Sequence, residues 1–159
     1  MVTVAAPDTW VYALRLPHDP RAARVARMTV RAALHGHGIR EVLDVVELLT
    51  SELVTNAYQY AKGPASLRLA GLGGGRVRVG VWDANPYLPS PFDEPPGGRP
   101  RPAPADAVNG RGLLLVRAWA DLWGGDALGR GAGKLLWFEV GGSGSGSRSV
   151  AGAGQAKSA

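Results

Sequence analysis

Glu52 and Asn56 are an acid and an amide one helical turn apart, within the stretch ELLTSELVTNAYQYAK of residues 47–62. On a helix their side chains leave the same face, with about 5–6 Å between Cβ atoms. An amide carbonyl is a hard oxygen ligand of the kind Mg²⁺ takes together with phosphate oxygens. A carboxylate beside it can accept a proton from an attacking hydroxyl. Asp83 closes the alternating run RVRVGVWD. A buried carboxylate at such a strand end can accept a hydrogen bond from the exocyclic amine of a base. Gly110-Arg111-Gly112 precedes an apolar helical run. Free N–H groups and the dipole at a helix start attract phosphate, and glycines let it come close. Each feature has an ordinary alternative: the edge of a solvated helix face, a turn former, a common helix start without the spacing of a Rossmann fingerprint or P-loop. Their value lies in being complementary.

The elements that must position these residues are legible from periodicity and punctuation. Residues 10–16 (WVYALRL) are rich in β-formers and read as a first strand. Asp19 and Pro20 predict a helix start, with Asp19 as N-cap, running to about Leu34 before Gly36 and Gly38 end it. His35 and His37 flank that break and read as a surface turn rather than a metal site. A second helix begins near Arg40. It carries apolar residues at Val42, Leu43, Val46, Leu49, Leu53, Ala57, Tyr60 and Ala61 on one wide face, and stops at Lys62-Gly63-Pro64. Residues 65–72 and 76–83 alternate and are joined by three glycines, which predicts an antiparallel hairpin. A third helix is expected from Leu113 to about Asp121, then strands over residues 122–124 and 134–140.

Between the hairpin and the third helix lies a segment of another kind. Eight of the chain's 12 prolines fall between Pro86 and Pro104, which excludes helix and central strand. Too little chain follows to make a second domain, so residues 84–109 read as a lid rather than a linker. Beyond Gly141 the composition is Gly, Ser and Ala with scattered polar residues, and it cannot bury enough surface to order itself. The expected division is one domain over residues 1–141 and a disordered tail over 142–159.

Composition narrows the function classes. A chain of 159 residues with 45% hydrophobic content suits one globular core. No apolar run approaches the roughly 20 residues of a membrane span, and the N-terminus lacks the basic region of a signal peptide. Without cysteine there are no disulfides or thiolate metal sites. These features fit a cytoplasmic protein that does not engage membrane. The net charge of +5 and pI near 10.1 raise a nucleic-acid binder as a competing class. There is no block of basic residues, however, and Arg21, Arg24, Arg27 and Arg31 share one helical face that reads as solvated. DNA is not an expected partner.

The order of the motifs resembles the GHKL ATPase superfamily of gyrase, histidine kinases and MutL. ELVTNA is similar to its N box, Asp83 in VWDANP to the adenine-reading acid of the G1 box, and GRGLLLV to the G2 box. Within that superfamily the chain is most similar to the small bacterial anti-sigma-factor serine-protein kinases, which its opening HDPRAARVARMTVRAAL and its close ADLWGGD and GKLLWFEV also fit. The resemblance covers roughly residues 10–140. It implies an α+β fold: a two-layer α/β sandwich with a mixed, mostly antiparallel sheet, three helices on one face and a proline-rich ATP lid.

The same resemblance implies ATP and Mg²⁺ as cofactors and distributes roles. Asn56 would hold the metal on the phosphates, Glu52 would be the general base, and Asp83 would read the adenine amine. Gly110, Arg111 and Gly112 would meet the phosphates, and Asn85 and Lys134 would complete the nucleotide site. The implied partners are a sigma factor and a STAS-type anti-anti-sigma antagonist phosphorylated on serine, and a homodimer. The chain departs from the family pattern at Asn85 and Pro86 in the G1 box, at Tyr60, where His is common, and at Leu135, where Thr is common. Those departures make a catalytically degenerate module, acting by sequestering a partner, the alternative.

Overall fold

The structure, a computed structural model, describes residues 8–94 and 111–141. In chain order its elements are β1 (Thr9–Leu16), α1 (Ala22–Gly36), α2 (Leu43–Tyr60), β2 (Ala65–Gly73), β3 (Arg76–Asp83), α3 (Arg111–Trp119), β4 (Leu122–Ala127) and β5 (Lys134–Val140). The strands form one five-stranded sheet in the order β1-β2-β3-β5-β4. All four ladders are antiparallel. The expected two-layer sandwich is present, with the mostly antiparallel sheet resolved as antiparallel at every pairing among the described residues.

The hairpin forms where three glycines allow it. Gly73, Gly74 and Gly75 all have positive φ, at 87°, 62° and 76°, a region that L side chains enter only at a cost. Successive strand residues then alternate between the two faces of the sheet. Leu67 and Leu69 of β2, Val77, Val79 and Val81 of β3, and Leu136, Phe138 and Val140 of β5 are buried on the helix side. Each such side chain contributes about 1.5–3 kcal/mol by leaving water.

Helix α2 is the hub of the other layer. It touches β2, β3 and β5, and both α1 and α3 pack against it. Its buried residues include Leu43, Val46, Leu49, Leu53, Val54 and Ala57. It starts later than the sequence suggests, and Ala61 is already extended (φ −105°, ψ 143°), ahead of the Gly63-Pro64 stop. Helix α1 buries Ala22, Ala26, Val30 and Leu34, one residue per turn. Arg21, Arg24 and Arg31 are exposed, as a solvated face requires, and Arg27 is half-buried. Arg27 donates to Ser51 Oγ and Arg31 to Glu47, both at 2.9 Å, and so tie α1 to α2.

Asp19 lies two residues before the N-cap, Arg21, and is not the cap itself. Its carboxylate accepts the Arg21 backbone N–H at 2.8 Å and the Arg21 guanidinium at 2.9 and 2.7 Å, closing a turn before α1 begins at Ala22. Those bonds from Arg21 lower its pKa from 3.8 to about 2. His37 is occupied by packing. Its ring stacks on Trp10 at 4.2 Å and its Nε2 lies 2.9 Å from the Tyr12 hydroxyl.

Helix α3 starts at Arg111 rather than Leu113. Strand β4 runs on to Ala127 because Gly124 and Gly125 pair with Trp137 and Leu136. The proline-rich segment is described only as far as Glu94, and this first part is docked rather than free. Phe92 is 4% exposed, meets Trp123 edge-on at 5.4 Å and lies against Gly125. Glu94 pairs with Arg117 at 3.3 Å. The remainder of the expected lid, Gly110 and the tail over residues 142–159 lie outside the described residues. Among the described residues, no helix is long and apolar enough to cross a membrane.

Candidate functional site

Glu52, Asn56 and Tyr60 are spaced four residues apart on α2, so they run down one side of it. Eight residues of helix separate the first from the last by about 12 Å. The expected site residues gather at the two ends of this line.

At the upper end, the Glu52 carboxylate rests against Gly112 in the first turn of α3. A Cβ placed on Gly112 would land on Glu52 Oε2, so glycine lets the carboxylate lie where it does. One turn along, Asn56 is 5% exposed, and its buried Oδ1 has no hydrogen-bond partner among the described residues. A buried acceptor left unsatisfied costs about 1–3 kcal/mol, and native proteins leave few such groups without a reason. An amide oxygen with a free valence, beside a carboxylate and a helix start, suits a hard divalent cation carrying phosphate oxygens. The donor set therefore fits Mg²⁺. Arg111 begins α3, and Gly110 precedes it outside the described residues.

At the lower end Asp83, Lys134 and Asn85 are paired with one another. Asp83 and Lys134 face each other across the β3–β5 ladder and are each 1% exposed. Lys134 Nζ lies 2.9 Å from Asp83 Oδ1 and 2.8 Å from Oδ2, and 3.3 Å from the Asn85 carbonyl oxygen. Asn85 is a knot rather than a free ligand. Its N–H donates to Asp83 Oδ1 at 2.8 Å, its Nδ2 donates to the Tyr60 carbonyl at 2.8 Å, and its Oδ1 accepts from Tyr87 N–H at 3.0 Å. The base of α2, the end of β3 and the root of the proline-rich segment are thus bound together.

The fold brings Glu52 to Gly112, and Asp83 to Lys134 and Asn85, with Asn56 between the two groups on α2. Sequence reasoning missed the buried ion pair and the Phe92 anchor. Both had a signal. Lys134 shares strand parity with Leu136, Phe138 and Val140, which demands an inward partner of opposite charge. Phe92 is one of two phenylalanines in the chain and stands among prolines.

Residues 16–138 match the sequence model of the histidine kinase-like ATPase domain. That match covers most of the chain and supports ATP binding. No curated protein matches it.

Proposed function

Because the chain belongs to the histidine kinase-like ATPase domain family, we propose that it is an ATP-binding serine-protein kinase of the anti-sigma-factor type. In this reading it transfers the γ-phosphoryl group of ATP to a serine of an anti-anti-sigma antagonist and sequesters a sigma factor. The observation that carries the phosphoryl-transfer part is the orphaned Oδ1 of Asn56 one turn from Glu52.

Asn56 would ligate Mg²⁺, which when bound offsets phosphate charge and orients the nucleotide. Glu52 accepts the proton of the attacking serine hydroxyl as the new O–P bond forms and ADP leaves. Gly112 keeps the start of α3 close enough for its backbone to face the phosphates. Asp83 accepts a hydrogen bond from the adenine amine. The kinase subtype, the antagonist and the sigma factor rest on the motif resemblance.

A second reading has its own observation. Asp83 is already committed to Lys134 and shielded from solvent, as a structural ion pair would be. On that view the chain is a degenerate module that acts by holding a partner.

The test is a Mg-ATP titration joined to radiolabelled transfer onto a serine-bearing antagonist. A base acts in the transition state and not in ground-state binding. Glu52→Gln should therefore keep ATP affinity and lose transfer by about 10²–10⁴-fold. Asn56→Ala should lose tight Mg-ATP binding. Normal binding in both variants would place the site elsewhere. A parent that binds Mg-ATP but transfers nothing would favour the degenerate module.

A further inference from the structure

We infer that Lys134 is the positioning residue that sets base selectivity, by holding the Asp83 carboxylate with one acceptor position left for an exocyclic amine. This rests on the nucleotide site proposed above.

An ammonium has three N–H groups and a carboxylate about four lone-pair positions. Lys134 Nζ has three acceptors around it: Asp83 Oδ2 at 2.8 Å, Asp83 Oδ1 at 2.9 Å and the Asn85 carbonyl at 3.3 Å. Lys134 is 1% exposed and its polar neighbours are Asp83 and Asn85, so it acts through Asp83. On the carboxylate, Oδ1 is used twice, by Lys134 and by the Asn85 N–H. Oδ2 is used once, by Lys134. One acceptor position remains, on Oδ2.

Nothing in the frame is loose. Asn85 is held through Nδ2 to Tyr60 and through Oδ1 to Tyr87, so Asp83 cannot turn without breaking bonds that have no substitute. The pair is buried, and a base edge that reaches it is stripped of water too, which raises the weight of a single hydrogen bond. A 6-amino purine brings a donor to the free position. A 6-oxo purine brings lone pairs against lone pairs. Without Lys134 the carboxylate loses two of its contacts, is no longer held with one acceptor position toward the base, and the distinction is lost.

The experiment is calorimetric titration of the full chain with the Mg²⁺ complexes of ATP, inosine triphosphate and purine riboside triphosphate, which lacks the 6-substituent. The parent should prefer ATP over both analogues by about tenfold to a hundredfold. Lys134→Met should shrink that preference to within about threefold, chiefly by losing ATP affinity. If Lys134→Met does not fold by circular dichroism, Lys134→Gln, which keeps one donor on the carboxylate, should reduce the preference in the same direction. Equal weakening for all three nucleotides, with the ratio kept, would make Lys134 merely structural and overturn the inference while leaving the ATP site standing. A parent indifferent to the amine would overturn it as well. A parent that binds no nucleotide would overturn both this inference and the proposed site.

Discussion

The two ends of the α2 line are built on opposite principles. At the lower end Asp83, Lys134 and Asn85 satisfy one another through hydrogen bonds of 2.8–3.3 Å. At the upper end Asn56 Oδ1 is buried and unanswered among the described residues, and Glu52 lies against Gly112. Both ends are polar groups set in an apolar fold, and burial penalises both unless they are paired. The lower end meets that cost from within the chain. The upper end leaves it standing, as the proposed metal and phosphate site would require. Reading a base requires a fixed acceptor, and holding a metal requires an open valence.

The largest test of this contrast removes one charge from the paired end. Lys134→Met leaves Asp83 buried without a counter-ion, a loss of about 3–5 kcal/mol when a buried pair is broken on one side. Adding Asp83→Asn removes the stranded charge and keeps an oxygen for the Asn85 N–H. The double variant should recover most of that loss, so the two substitutions will be strongly non-additive. Urea denaturation of the parent, the single variants and the double variant closes the cycle. Additive losses would mean that the two groups do not act as a pair.

The open end should respond with the opposite sign. Asn56→Leu replaces an unsatisfied buried acceptor with apolar surface of similar size. Stability should rise by about 1 kcal/mol, while Mg²⁺-dependent nucleotide binding disappears. That is the pattern of a residue kept for function at the expense of the fold. A destabilised variant would show that Asn56 Oδ1 has a structural partner, and the contrast between the two ends would fail.

Much of this was legible in the sequence, for reasons that differ by residue. The hairpin declared itself because alternation and a triple glycine are both local signals. Helix α2 did so because its apolar positions repeat over many turns. Glu52 and Asn56 could be placed together because one helical turn fixes their relation. The Asp83–Lys134 pair spans 51 residues, and strand register across β3 and β5 brings it about, which no window of sequence contains. The same holds for Phe92 against Trp123. Proline density excludes regular structure in that segment but does not say whether a side chain within it finds a pocket. Asp19 shows a smaller limit. Its residue type marked a capping position, yet its bonds close the turn before the helix.

The smallest expected effect on the fold is at Gly112. The three atoms an added Cβ meets first all belong to the flexible side chain of Glu52. Glu52 can swing aside at little cost, and alanine is favoured over glycine in a helix by about 1 kcal/mol. Gly112→Ala should therefore leave unfolding free energy within about 1 kcal/mol of the parent. What changes is the place of the carboxylate. If Glu52 is the proton acceptor, a shift of an ångström or so lowers transfer to the antagonist by about a hundredfold while ATP affinity changes less. The decisive measurement combines the two sites. In a Glu52→Gln background, Gly112→Ala should lower the transfer rate little further, because the group it displaces has already lost its function. A full additional loss in that background would show that Gly112 acts on the phosphates directly, through the approach of α3. The contact with Glu52 would then be a consequence of close packing rather than the reason for the glycine.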